Sequence, residues 1–442
     1  MLPIVAIVGR PNVGKSTLFN RLTRSRSAIV ADTPGVTRDR QYGRGRLGDR
    51  PYLVIDTGGF EADSDQPLLR RMAGQALEAI TESDAVIFLV DRREGLTHRD
   101  REIAQMLRAS GRKIWLTVNK AEGANYHVAA AEFHELGLGS PHPVSASHGD
   151  GVTDLMEAII ASFPEGAEEG PKDDRARVAI VGRPNAGKST LVNALLGEDR
   201  VIAFDEPGTT RDSIYIDFER RGRKYTLIDT AGLRRRARVT DAIEKFSAIK
   251  TMQALEDANV AILLVDAQAG VTDQDAHVGS YIQELGRATV VAVNKWDGLD
   301  NGRRGMIRQE VEHKLRFLSF ARCHYISARA GSGLDPLMRS VDEAYKAAFA
   351  RLPTPKLTRA VREAIEAMPP PRRASRRPKP RYAHQGGNNP PIVIIHGTGV
   401  DDLSDSYRRY LENRLREQFD LTGTPLRIEF RRAGNPYDKN RD

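Results

Sequence analysis

The chain has 442 residues, 40% hydrophobic and 29% charged, with a net charge of +8 at pH 7. That balance suits soluble globular domains, about three by length, and no stretch approaches the roughly 18–20 consecutive apolar residues of a membrane-spanning helix. A single cysteine, Cys323, excludes an intrachain disulfide framework and points to a reducing cytoplasm, and the opening residues Met1 to Val8 lack the charged leader of a signal peptide.

The first predicted strand, Ile4–Val8, runs directly into Gly9-Arg10-Pro11-Asn12-Val13-Gly14-Lys15-Ser16-Thr17. Glycines spaced this way, followed by Lys-Ser, let the backbone wrap a phosphate without Cβ clashes. Backbone amides and the start of the next helix then face the anion. Lys15 is placed to reach the β- and γ-phosphates, and the Ser16 hydroxyl to ligate Mg²⁺. Thr37 is expected to close over the γ-phosphate and metal. A second apolar run, Tyr52–Ile55, ends in Asp56-Thr57-Gly58-Gly59-Phe60, where Asp56 is expected to hold Mg²⁺ through water. Runs Ala85–Val90 and Ile114–Val118 follow, the latter reaching Asn119-Lys120-Ala121-Glu122. Ser145-Ala146 comes next, before the helically spaced Leu155, Met156, Ile159 and Ile160.

After a polar, acidic stretch at 164–175 that reads as a linker, the pattern repeats. Val178–Val181 leads into Gly182-Arg183-Pro184-Asn185-Ala186-Gly187-Lys188-Ser189-Thr190, 173 positions after the first loop. Thr210 answers Thr37, and Asp229-Thr230-Ala231-Gly232-Leu233 follows the run Tyr225–Ile228. Runs Val260–Val265 and Thr289–Val293 precede Asn294-Lys295-Trp296-Asp297 and Ser327-Ala328. So long a period indicates duplicated domains, not solenoid units of roughly 20–50 residues. Near-continuous apolar strands alternating with helices indicate a mostly parallel sheet covered on both faces, with ligand loops at the strands' carboxyl ends. The phosphate loops do not choose the base. Asp297 does: it can accept paired hydrogen bonds from N1–H and the exocyclic amine of guanine, a donor pair adenine lacks. Glu122 keeps that acceptor pair with one more methylene, so the first copy is expected to bind guanine less tightly.

These motifs resemble the Era-like GTPases. Two such domains followed by a small basic domain are similar to one family among them, the double-Era-like GTPases called Der or EngA, over essentially the whole chain. The resemblance implies GTP hydrolysis in two P-loop domains, at 1–163 and 176–352, and a KH-like α+β domain at 353–442. It also implies a role in late assembly of the large ribosomal subunit with ribosomal RNA as partner, in a monomeric cytoplasmic protein without membrane attachment. In related Era-like proteins the loop asparagine helps bind potassium, so Asn12 and Asn185 are candidate K⁺ ligands. This fits the absence of a water-orienting glutamine, since Phe60 and Leu233 occupy that place and cannot hydrogen-bond water. Two alternatives share the loop chemistry. One is a nucleotide-sensing scaffold with incidental hydrolysis. The other is a tRNA-modifying GTPase, although those have one such domain and an end-of-chain cysteine.

Residues 353–442 hold 18 Lys and Arg against 11 Asp and Glu. The run Arg372-Arg373-Ala374-Ser375-Arg376-Arg377-Pro378-Lys379-Pro380-Arg381, with six cations and no acid, reads either as a solvated loop or as an RNA contact. A helix at Leu357–Ala367, strands at Pro391–Ile395 and Leu426–Phe430, and an amphipathic helix at Ser404–Phe419 are expected. The Gly-x-x-Gly clamp of RNA-binding KH modules is missing. Gly397-Thr398-Gly399-Val400 is the nearest fragment, so docking onto the GTPase domains competes with direct RNA binding. The segments after the two Asp-x-x-Gly motifs differ in sign. The first reads Phe60-Glu61-Ala62-Asp63-Ser64-Asp65, whereas the second carries Arg234, Arg235, Arg236 and Arg238. Phosphate backbone attracts the second and repels the first, so the second is the candidate RNA-coupled switch.

Overall fold

The computed structural model describes residues 2–23, 29–31, 40–48, 50–57, 77–123, 130–164, 175–197, 201–202, 214–229, 248–371, 378–400 and 403–432. Thr37, Gly58–Phe60, Thr210, Thr230–Leu233 and the candidate RNA contacts Arg234, Arg235, Arg236, Arg238, Arg372, Arg373, Arg376 and Arg377 lie outside them. The chain divides into two compact units, residues 1–173 with 246–253, and residues 174–245 with 254–442.

In the first copy, β1 (Ile4–Val8), β4 (Tyr52–Asp56), β5 (Ala85–Asp91), β6 (Lys113–Asn119) and β7 (His142–Pro143) run parallel. β2 (Ile29–Ala31) and β3 (Arg40–Gly45) extend the sheet antiparallel at the β4 edge, giving the order β2-β3-β4-β1-β5-β6-β7. The second sheet repeats this layout. β8 (Ala176–Val181), β11 (Arg223–Asp229), β12 (Val260–Asp266), β13 (Ala288–Asn294) and β14 (Arg322–Tyr325) are parallel, with β9 (Val201–Ile202) and β10 (Ile214–Arg220) as the antiparallel edge. Every residue of β1, β4, β5, β12 and β13 is buried, which is why those segments read as unbroken apolar runs without alternation.

Helices cover the sheets. α1 (Lys15–Thr23) buries Leu18, Phe19 and Leu22, the i, i+1, i+4 face expected of an amphipathic helix. α2 (His98–Ala109) begins with a capping box in which Thr97 and Asp100 satisfy each other's backbone amides. α3 (Val152–Ala161) buries Leu155, Met156, Ile159 and Ile160. α4 (Lys188–Gly197), α5 (Ala248–Asp257), α6 (Asp273–Leu285), α7 (Asn301–Lys314) and α8 (Leu334–Ala348) belong to the second half. α6 opens with the same box, made by Thr272 and Asp275. Among the described residues no helix is long and apolar enough to cross a membrane.

The last part contains α9 (Thr354–Ala367), β15 (Lys379–Gly387), β16 (Ile392–Thr398), α10 (Asp405–Gln418) and β17 (Arg427–Arg432). β16 lies between β15, antiparallel, and β17, parallel. β16 starts one residue later than its apolar run and continues through the glycine-containing His396–Thr398. Gly397 thus lies inside a strand, where a Cβ would collide with the Lys379 carbonyl. This explains why the Gly397–Val400 fragment does not form a clamp. On α10, Tyr407, Leu411 and Leu415 are buried and Phe419, at the C-cap, packs against the same core. The domain docks on the second sheet through backbone hydrogen bonds. Thr289 N–H donates to the Gly423 carbonyl at 2.6 Å, and Gly423 N–H to the Phe320 carbonyl at 2.8 Å. The Arg416 guanidinium sits 5.5 Å from the Phe320 ring centre, and Asn389 N–H donates to the Ala348 carbonyl at 2.9 Å.

Candidate functional site

Each phosphate loop connects a buried strand to a helix start, β1 to α1 and β8 to α4. Asn12 and Asn185, at the loop crests, are exposed and adopt left-handed backbone with φ 64° and 63°. Asparagine tolerates that region better than most residues. Gly14 and Gly187 have φ of 100° and 96°, and a Cβ on either would collide with the amide of Asn119 or Asn294. Glycine there admits both the turn and the side chain behind it.

That asparagine is the strut of the site. Asn119 Nδ2 donates to the Val13 carbonyl at 2.8 Å, and its Oδ1 accepts from Ala146 N–H at 2.9 Å. Asn294 repeats this with the Ala186 carbonyl and Ala328 N–H, each at 2.9 Å. One buried side chain therefore ties the phosphate loop to the Ser-Ala loop in each copy. Ser145, Ala146, Ser327 and Ala328 are all buried.

The following lysines are also alike. Lys120 and Lys295 have φ of 62° and ion-pair with Asp91 and Asp266, at 2.5 and 2.6 Å, where β5 and β12 end. Sequence reasoning missed both aspartates, although each closes an apolar run at the same place in the repeat. It also missed the tethers of the loop arginines. Arg183 Nε lies 3.1 Å from the buried Asp275 carboxylate, and Arg10 Nε 3.3 Å from Asp100, with Glu94 as a further partner of Arg10. Burial raises the Asp275 carboxyl above its usual range, against the opposing pull of backbone hydrogen bonding at Thr272 and of Arg183.

Lys15 is buried and donates to the Arg10 carbonyl at 2.8 Å; Lys188 reaches the Arg183 carbonyl at 2.8 Å and that of Gly182 at 3.1 Å. Burial lowers the Lys15 ammonium to about 8, with Asp56 opposing the shift and Arg10 adding to it. Asp56 is buried at the end of β4; β11 ends at Asp229. Thr57 donates its hydroxyl to the Ile7 carbonyl at 2.8 Å, fixing the β1–β4 junction. The Ser189 hydroxyl is buried and has no hydrogen-bond partner among the described residues. An orphaned hydroxyl one residue after the loop lysine suits a hard cation beside a phosphate.

The base loops diverge. Ala121 is buried, whereas Trp296 is half-buried, 4.3 Å from the Tyr325 ring and flanked by Arg304 and Arg308 at 5.6 and 5.7 Å. Asp297 is exposed, and its carboxyl is held below the usual range chiefly by the Ser327 hydroxyl. Glu122 is held low chiefly by its own backbone amide, then by Ser145 and Arg93. Cys323 is partly buried, and desolvation pushes its thiol up to about 11, which favours the protonated thiol at neutral pH.

The profile of a family described as 50S ribosome-binding GTPase matches residues 4–120 and again 177–295. That of the KH-domain-like, C-terminal region of EngA bacterial GTPase enzymes matches residues 351–431. GTPase Der of Burkholderia ambifaria (strain MC40-6) is 62% identical over 441 residues, 99% of each chain. The chain belongs to the Der (EngA) family. It is a GTP-binding, GTP-hydrolysing protein of the 50S ribosome-binding GTPases. GTPase Der of Burkholderia vietnamiensis (strain G4) is 61% identical over the same length. Among solved structures, a point variant of Aquifex aeolicus Era bound to GDP.AlF4- is 26% identical over 49% of this chain and 72% of its own, at a TM-score of 0.33.

Proposed function

We propose that both Der-type domains bind GTP with Mg²⁺, and that GTP state governs contact with ribosomal RNA of the large subunit. The reading places the domains at 1–163 and 176–352, with 353–442 as the KH-like part of a cytoplasmic monomer. The observation that carries it is the repetition of one constellation: buried loop lysine, asparagine strut, aspartate-anchored lysine and terminal carboxylate. Each copy has all four on the same elements.

Lys15 and Lys188 would neutralise the β- and γ-phosphate oxygens, and Gly9–Thr17 and Gly182–Thr190 would wrap them with backbone amides. The aliphatic stems of Lys120 and Lys295, fixed by Asp91 and Asp266, would cover one face of the base. Glu122 and Asp297 would accept its N1–H and amine, with Ser145-Ala146 and Ser327-Ala328 closing the pocket. Ser16 and Ser189 would ligate Mg²⁺ directly, joined by Thr37 and Thr210, while Asp56 and Asp229 would hold its waters. When bound, the metal neutralises charge on the transferring phosphoryl group. Asn12 and Asn185 would add oxygen ligands to a K⁺ ion beside the phosphates, in place of a glutamine at Phe60 or Leu233. Hydrolysis would release the segments around Thr37, Thr210, Gly58–Phe60 and Thr230–Leu233.

Sedimentation with purified large subunits in GTP, GDP and a non-hydrolysable analogue tests the coupling. Subunit binding is expected with GTP or analogue and reduced with GDP. Equal binding in all three would contradict it.

A further inference from the structure

The two base loops have different neighbours on the turn that follows the preceding strand. Two residues after Asp91 comes Arg93, and two residues after Asp266 comes Gln268. Both positions are fixed by the same turn. Arg93 N–H donates to Asp91 Oδ1 at 2.8 Å, and Gln268 N–H to Asp266 Oδ1 at 2.9 Å. The base loops share their backbone register as well, with Ala121 N–H donating to the Val144 carbonyl and Trp296 N–H to the Ile326 carbonyl, each at 3.1 Å. In the first copy the Arg93 guanidinium reaches across and holds Glu122 Oε1 at 2.6 Å. In the second, Gln268 lies beside Gly298, next to Asp297, and carries no charge.

We propose that Arg93 is a positioning residue that competes with guanine for the Glu122 carboxylate and so sets base affinity and selectivity in the first domain. The inference rests on the reading of Glu122 as the base-binding carboxylate. Guanine needs both carboxylate oxygens, one for N1–H and one for the 2-amine. Arg93 holds Oε1, and Oε2 is buried with no hydrogen-bond partner among the described residues, so the carboxylate must turn to present both oxygens to a base, and that turn loosens the ion pair. The extra methylene of Glu122 lengthens the carboxylate's reach toward Arg93. The first site therefore gains less from the 2-amine than the second. Hypoxanthine, which lacks that amine, should be discriminated more weakly there.

The full-length chain tests this in an Asp297→Asn background, where an amide faces the 2-oxo group of xanthine and XDP can occupy the second site. GDP and IDP are then titrated into the first. Arg93→Gln, the residue of the second copy, is expected to tighten GDP by about two- to fivefold, the range for an exposed ion pair. It should leave IDP nearly unchanged, so the IDP-to-GDP ratio widens. Arg93→Lys should fall between. In a Glu122→Asp chain the shorter carboxylate withdraws from residue 93, and Arg93→Gln should then change nothing. An unchanged GDP affinity and ratio in Arg93→Gln, with Glu122→Ala still abolishing the preference for GDP over ADP, would overturn this inference alone. If Glu122→Ala also leaves that preference intact, the base-loop reading falls and the inference with it.

Discussion

Replacing Asn294 with alanine removes one side chain but frees two buried backbone groups. The Ala186 carbonyl loses its donor and Ala328 N–H its acceptor, both now satisfied at 2.9 Å by a residue that is 3% exposed. Alanine brings no polar atom to replace them. Each unsatisfied buried group costs about 1–3 kcal/mol, so the variant should lose roughly 2–6 kcal/mol from the geometry joining phosphate and base loops. Part of that cost would be relieved by loop movement or a trapped water. Either relief separates loops that must grip the two ends of one nucleotide, so the loss should appear in binding. Taking the lower end, GDP affinity at the second site should fall about 30-fold. Isothermal titration of full-length Asn294→Ala, with Lys15→Ala silencing the first site, measures it. The Asn294→Asp variant sharpens the test, because it keeps the acceptor for Ala328 while setting a carboxylate against the Ala186 carbonyl. It should be no better than alanine. Affinity within threefold of the parent in both variants would refute the strut.

Three further outcomes are expected. Turnover in KCl should exceed that in equimolar NaCl, and Asn185→Ala should erase the difference at the second site; equal parent rates would remove K⁺ from the mechanism. The Lys15 ammonium, lowered by burial to about 8 from an ordinary 10.5, makes the free domain bind fewer protons than the unfolded chain between those values. Stability of the free protein therefore rises with pH across that window, and phosphate binding, which restores the charge, takes up a proton. GDP affinity at the first site should fall by at most tenfold per pH unit from about 8 upward, with buffer-dependent heats that reveal the uptake; a flat profile from pH 7 to 9.5 would contradict it. Replacing Arg234, Arg235, Arg236 and Arg238 with alanine should weaken GTP-dependent subunit binding and flatten its salt dependence while nucleotide binding stays intact, whereas an unchanged affinity and slope would shift attention to the basic run Arg372–Arg381.

The nucleotide loops were legible because their chemistry demands particular residues at fixed places. Glycine at 14 and 187 is required by a positive φ and by the amide behind it. The buried parallel strands were legible from unbroken apolar runs. The antiparallel edge strands were not. β3 reads Arg-Gln-Tyr-Gly-Arg-Gly, three polar residues and two glycines around a single buried Tyr42, so no apolar run marks it and only its pairing with β4 makes it a strand. β15 escaped for a similar reason. Its residues Lys379–Gly387 carry one fully buried side chain, Ala383, and two register irregularities, so neither an apolar run nor clean alternation marks it. Asp91 and Asp266 were invisible as partners of Lys120 and Lys295, since 29 residues separate each pair and only adjacent parallel strands bring them together. The same holds for Arg93 and Glu122.

On this reading each chain carries two separate guanine-nucleotide sites built on the same plan. Equilibrium dialysis of the nucleotide-free, full-length protein against labelled GDP, with ADP as competitor, measures it most directly. Two GDP per chain are expected, neither displaced by excess ADP, with one lost in Lys15→Ala, the other in Lys188→Ala, and none left in the double variant. One GDP per chain that survives Lys15→Ala unchanged, or displacement from either site by ADP, would contradict it.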